Sequence, residues 1–230
     1  MIFDRIAVLR YYGWHKEPTF KECALKSYRD VSRIMVGFGK NDESEDKQNK
    51  GTKKIREDKK KTYREGISCL IDDRIGELME SQDWESFDCW HDSVCEKIIC
   101  MSDEIIDLIE PGTRDKWPNR RLPYGIAQKW LNMTFKNMLI VGKWDDELMI
   151  HIKDKLHVPV DSNIKSCAKG SRPEEKLIDD VPDKAWSQWD KEMYCKFQKD
   201  LKKAIRDEGR YDSPIEWEFE VFAKNAEKNS

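Results

Sequence analysis

Apolar residues recur every three to four positions along most of this chain, which is the spacing of one face of an α-helix. Thr19 with Glu22 forms a candidate capping box, whereas Gly170 and Gly209 mark helix ends. The stripes predict helices within residues 19–39, 67–78, 126–142, 145–156, 161–170 and 183–209, and one or two helices within 84–109. We therefore predict an all-α fold, in which residues 1–230 form a single helical domain.

The last apolar segment allows two structures. Ile215, Trp217 and Phe219 alternate with polar residues, as in a strand. Ser213 followed by Pro214, with a glutamate three positions after the serine, is typical of a helix start. The cap favours a helix.

One stretch departs from the apolar pattern. Residues 40–64 are poor in apolar side chains, and nine basic residues stand against two acids between Lys47 and Arg64. This composition predicts a flexible, basic insertion. Two interpretations stay open, a solvated loop without a partner and an arm that meets phosphates.

Charge and cysteine content narrow the functional class. The net charge of −3 indicates no general affinity for nucleic acid, but Arg114–Lys136 holds six basic residues and one acid. Seven cysteines without a CxxC pair predict reduced thiols, a cytoplasmic protein and no metal site. The first ten residues carry charges, and no apolar run approaches the ~18 residues of a membrane span, so we expect neither a signal peptide nor a membrane partner.

Two short segments hold the candidate chemistry. Leu122–Lys129 places Gly125 at the start of an apolar helix and Lys129 one turn inside it. A glycine there lets backbone N–H groups approach a phosphate, and a lysine held in a cleft can act as an amine nucleophile. Val158–Asp161 delivers a carboxylate at the N-cap of the next helix, where it is fixed and ionised. An ordinary helix start, a surface lysine and a simple cap are the alternatives.

Together these segments resemble the signature of the helix-hairpin-helix DNA glycosylases, particularly the 8-oxoguanine glycosylase branch. That family has a hairpin of the form Leu-Pro-Gly-Val-Gly-x-Lys and a downstream Val-Pro-Val-Asp. Gly125, Ala127 and Lys129 match the hairpin, Val158–Asp161 matches letter for letter, and Tyr124 replaces a glycine. The long interval, with an extra helix, is similar to that of the archaeal 8-oxoguanine glycosylases. The matching segment covers residues 120–170.

The resemblance implies a mechanism without a metal or an organic cofactor. A modified nucleotide of double-stranded DNA flips into a pocket, and Lys129 attacks the anomeric carbon as the base leaves. Asp161 stabilises the positive charge and assists proton transfer, and the Schiff base permits strand cleavage. Expected DNA contacts are Arg120, Arg121, Tyr124, Gly125 and Ala127.

Candidates for the base pocket are Gln128, Asp183 and Trp186. Asp183 is equally a helix cap, and the helical spacing of Trp186, Trp189 and Trp217 favours core packing. A different class stays open, namely a non-enzymatic helical module that binds nucleic acid or protein, with phage defence as one setting.

Overall fold

The computed structural model describes residues 5–11, 13–33, 35, 50–109, 115, 117–142, 144, 146–170 and 176–228. These residues contain nine α-helices and no strand, which confirms the all-α prediction. The helices are α1 (Arg5–Tyr11), α2 (Phe20–Ser32), α3 (Lys50–Ser81), α4 (Phe87–Ile109), α5 (Tyr124–Ile140), α6 (Asp146–Ile152), α7 (Ser162–Lys169), α8 (Lys191–Glu208) and α9 (Pro214–Lys228).

Helix α5 is the centre of the fold. It packs against α2, α4 and α8, and from Tyr124 to Met138 every residue except Met133 is buried. Its polar side chains therefore need partners inside the protein, because an unpaired buried polar group costs free energy. This requirement assembles the candidate site.

Local cap signals place several helices correctly. Thr19 and Glu22 form the predicted capping box of α2, with hydrogen bonds of 3.1 and 2.7 Å. The Ser213 Oγ accepts from the Glu216 N–H at 3.3 Å, and the segment that follows is helix α9 rather than a strand. The sequence predicts helix α2 within residues 19–39, whereas this helix ends at Ser32; residues 34 and 36–39 lie outside the described part of the chain.

The prediction of a flexible insertion is wrong for residues 50–64, because these residues form the first half of α3. Lysine, arginine and glutamate have high helix propensity. The helix that carries the apolar stripe of Ile67 and Ile71 therefore continues toward the N-terminus through the basic residues. Tyr63 anchors it, because its buried hydroxyl lies 2.7 Å from the Ser102 Oγ on α4. Residues 40–49 lie outside the described part of the chain.

The predicted helix from Asp183 begins later than expected. Trp186–Gln188 is a single 3-10 turn, and α8 starts only after Asp190, whose Oδ1 accepts from the Met193 N–H at 2.9 Å. Because Asp190 caps α8, the helix begins after it, although the apolar spacing starts earlier, at Trp186. Trp186 and Trp189 therefore stand on a separate turn that packs against the start of α5.

Candidate functional site

The structure brings Lys129 and Asp161 together. The Lys129 Nζ donates to the Asp161 Oδ2 at 2.9 Å and to the Pro159 carbonyl at 3.2 Å. The lysine side chain is 7% exposed and the aspartate side chain 33% exposed, so the pair opens to solvent mainly on the carboxylate side. Helix α5 supplies the amine, and the extended segment before α7 supplies the carboxylate.

The two oxygens of Asp161 have separate tasks. While Oδ2 accepts from Lys129, Oδ1 accepts the N–H groups of Asn163 and Ile164, both at 2.9 Å, as the predicted N-cap of α7. Burial raises the pKa of this carboxyl, but the charge of Lys129 and the two N–H groups outweigh burial and hold the pKa below its ordinary value. Asp161 is therefore ionised at neutral pH.

The turn at Trp186 covers the pair and closes the start of α5. The Lys129 Nζ lies 5.9 Å from the centroid of the Trp186 ring. The Gly125 N–H donates to the Trp189 carbonyl at 3.0 Å, and a Cβ at Gly125 would lie 1.9 Å from the Trp186 carbonyl oxygen. Glycine is thus required for close approach to protein backbone.

The structure buries the three residues at the start of α5 that were predicted to contact DNA. Gly125 has its N–H engaged, Ala127 is fully buried, and Tyr124 is buried with its hydroxyl 3.3 Å from an Asp92 carboxylate oxygen. None of the three therefore offers an exposed side chain to a DNA phosphate, and neither Gly125 nor Ala127 offers a free backbone N–H.

Gln128 belongs to the interior rather than to a base pocket. It is fully buried, and its Nε2 donates to the Gly125 carbonyl at 2.8 Å and to the Val160 carbonyl at 3.4 Å. Its Oε1 accepts from the Asn132 Nδ2 at 2.9 Å. The amide is therefore occupied in holding the segment before Asp161.

A hydrogen-bonded network that the sequence analysis missed continues from Asn132. The Asn132 Nδ2 donates to the Val158 carbonyl at 3.2 Å and to the Tyr194 hydroxyl at 2.8 Å, and its Oδ1 lies 2.8 Å from the His91 Nε2. The Tyr194 hydroxyl also lies 2.8 Å from the His157 Nδ1. Through the Val158 carbonyl, the network holds the segment before Asp161, which Lys129 also contacts at the Pro159 carbonyl. Nothing local in the sequence indicates it, except that His157 directly precedes Val158.

Both histidines are held uncharged. Burial lowers the pKa of His91 and of His157, and in His91 the neighbouring His157 lowers it further. The His157 Nε2 lies 2.9 Å from the Asp88 Oδ1, and this hydrogen bond is the main reason that the Asp88 pKa falls to about 2.

A second buried ion pair lies on the same face of α5, two turns after Lys129. The Lys136 Nζ donates to the Glu218 Oε1 at 2.5 Å, and both side chains are almost fully buried. Burial raises the Glu218 pKa against the attraction of Lys136. Lys129 and Asp161 also act on this carboxyl electrostatically, and the Glu218 Oε2 has no hydrogen-bond partner among the described residues. In the sequence, only the seven-residue spacing of Lys129 and Lys136 indicated that the two lysines share a face of α5.

The remaining predicted residues lie on the surface or in the core. Arg120 pairs with Asp115 at 3.0 Å, Arg121 with Asp103 at 2.7 Å, and Asp183 with Lys169 at 3.3 Å. Trp189 and Trp217 are buried in the core, where their spacing predicted them. DNA contact by the two arginines and base contact by Asp183 stay predictions.

Within the described ranges no group of three or more His, Cys, Asp or Glu side chains could hold a metal ion. No helix in that part of the chain has the length and apolar character to cross a membrane. No family model, curated protein or solved structure matches this chain in the comparisons.

Proposed function

We propose that this chain is a DNA glycosylase that removes a modified or oxidised base, with 8-oxoguanine as the first candidate, and that Lys129 is its nucleophile. One observation carries the proposal: the Lys129 amine lies 2.9 Å from a carboxylate of Asp161, 32 residues away, in a nearly buried position. An amine beside a base and shielded from water is the arrangement that Schiff-base chemistry needs.

The reaction begins when the target nucleotide rotates out of the stack. The Lys129 ammonium passes one proton to the Asp161 carboxylate, and the amine attacks C1′ of the sugar. The N–C1′ bond forms as the glycosidic bond breaks, and the base leaves with the electron pair and takes the proton that Asp161 holds. The attached nitrogen then gives a proton back to the Asp161 carboxylate, and its lone pair opens the C1′–O4′ bond to give the protonated imine, while O4′ takes a proton from solvent.

Asp161 and Trp186 support this step from two sides. The cap N–H groups keep Asp161 fixed, so the carboxylate faces the positive charge that develops on the sugar. The Trp186 ring supplies an apolar wall 5.9 Å from the amine. Because Asp161 is the more exposed partner, the sugar approaches from the carboxylate side.

Borohydride trapping tests the proposal. The protein is incubated with duplexes that hold 8-oxoguanine or an abasic site, and a covalent adduct is expected after reduction. Lys129→Arg retains the charge and the ion pair with Asp161 but cannot form an imine, so the adduct should vanish. Asp161→Asn retains a good N-cap and should reduce adduct formation on the order of 100-fold.

Lys153→Gln is the matched control, because Lys153 forms only an exposed pair with Asp212, and its adduct should equal that of the parent protein. An adduct that survives Lys129→Arg overturns the assignment of the nucleophile. A parent protein that forms no adduct with any duplex of a modified-base panel overturns the glycosylase–lyase proposal.

The non-enzymatic helical module is the second candidate, and the burial of Lys129 and of the Gly125 N–H favours it. In that case the Lys129–Asp161 pair only joins α5 to α7. A Lys129→Met/Asp161→Asn variant would then retain any DNA affinity of the parent. Retained affinity, without any adduct from the parent, supports this candidate.

A further inference from the structure

A second cavity lies between α4 and α8, away from the Lys129–Asp161 pair. Its volume is about 390 Å³, within the range of roughly 300–1,000 Å³ typical of small-molecule sites. Helix α4 contributes Asp88 and Asp92, helix α8 contributes Lys199 and Lys202, and His157 also lines it. Neither member of the Lys129–Asp161 pair lines it, so this site does not depend on the glycosylase proposal.

The charges around this α4–α8 cavity are unevenly paired. The Asp88 carboxylate accepts from the His157 Nε2 at 2.9 Å, and Asp92 pairs with Lys191 at 2.7 Å. Lys202, in contrast, is partly buried and forms no hydrogen bond or salt bridge with any described residue. Both carboxylates of the cavity are therefore engaged, while Asp88 and Asp154 attract the Lys202 ammonium without forming a salt bridge to it.

Lys202 lines the cavity, and its charge acts on other groups that line it. Burial lowers the pKa of Lys202, and its charge lowers the pKa of both Asp88 and His157. Lys199 lies one turn earlier on α8, lines the same cavity, and has no ion pair within the described ranges. Leaving a recessed ammonium unpaired costs free energy that an anion would recover.

We propose that the α4–α8 cavity binds a small phosphate ester, whose phosphate is held by Lys202 and Lys199. Two compact ammonium groups suit a doubly charged phosphate, whereas a planar carboxylate is better matched by the fork of an arginine. A small ester is favoured over a nucleic-acid backbone because Lys202 is recessed between two helices. The rest of the ester lies against Tyr124 and Leu156 at the apolar wall.

Calorimetric titration of the full chain with inorganic phosphate and with ribose 5-phosphate, at constant ionic strength set with chloride, tests the proposal. Both probes should bind saturably and raise the melting temperature. Lys202→Gln should weaken binding by about tenfold or more, and Lys199→Gln by a few-fold, on the scale of one charge-assisted contact. Lys203→Gln is the matched control, because the neighbouring Lys203 is exposed and does not line the cavity.

The absence of saturable binding at millimolar concentration overturns the proposal, as does an equal loss in Lys203→Gln. If Lys202→Gln weakens the binding of duplex DNA but not of either small probe, the two lysines belong to a nucleic-acid surface, and this result also overturns the proposal. Circular dichroism verifies the fold of each variant. If Lys202→Gln does not fold, the exposed Lys199→Gln variant decides the outcome in the same titration.

Discussion

Replacement of Gly125 by alanine is the sharpest test of how the candidate site is built. The added Cβ would lie 1.9 Å from the Trp186 carbonyl oxygen and 3.1 Å from the Trp186 carbonyl carbon. An ordinary close C···O contact is about 3.3 Å, so the two segments must separate by more than 1 Å. The neighbour is backbone, which cannot rotate away as a side chain can.

The cost follows from three terms. Overpacking costs about 1–3 kcal/mol, and loss of the hydrogen bond from the Gly125 N–H to the Trp189 carbonyl leaves a buried donor unpaired at about 1–3 kcal/mol more. The better helix propensity of alanine returns about 1 kcal/mol. We expect Gly125→Ala to lower the free energy of unfolding by roughly 3 kcal/mol.

Urea denaturation followed by tryptophan fluorescence and circular dichroism measures this loss. Gly76→Ala is the matched control, because Gly76 lies within α3 and an added Cβ would meet no atom within 4 Å. That variant should be more stable by about 0.5–1 kcal/mol. A Gly125→Ala protein as stable as the parent would refute the close contact between α5 and the Trp186–Trp189 turn.

Three further predictions concern the buried polar groups. Because burial lowers the pKa of His91 and His157 below the ordinary 6.5, the folded protein binds fewer protons there than the unfolded chain. The contribution of the two neutral histidines to the free energy of unfolding is complete above pH 6.5 and is lost as the pH falls. The melting temperature should therefore decrease from about pH 7 to pH 5. A melting temperature that does not change over this range would contradict the prediction. Asn132→Ala removes the partner of several buried groups and should cost about 3 kcal/mol in urea denaturation; a cost below about 1 kcal/mol would show the network to be unimportant. Glu218→Ala leaves the Lys136 ammonium buried without its partner and should cost about 3–5 kcal/mol, whereas adding Lys136→Met should restore stability; a double variant as unstable as the single one would argue against the buried pair.

The sequence predicted the residues of the candidate pair because their signals are local. A glycine and a lysine at the start of an apolar helix, and an aspartate at a cap, are readable within eight residues. That Lys129 and Asp161 meet at 2.9 Å is a contact between segments 32 residues apart, and only their resemblance to a known motif pair pointed to it.

Contacts between residues far apart in the sequence changed the interpretation of the segment around Gly125 and Lys129. The N–H of Gly125 was expected to face phosphate, but it donates to a carbonyl 64 residues away, and no local pattern distinguishes these two acceptors. Lys136 was counted with the basic stretch, yet its partner Glu218 lies 82 residues away in the core.

Helix content, most helix ends and the identity of the chemically capable residues were determined by the sequence itself, because periodicity and caps act over one or two turns. Only the tertiary structure decided which polar groups are buried, which have a hydrogen-bond or ion-pair partner, and which face solvent. Helix α5 is buried on nearly all sides, so each of its amides and amines takes the acceptor that packing places nearest, and that acceptor comes from a distant part of the chain.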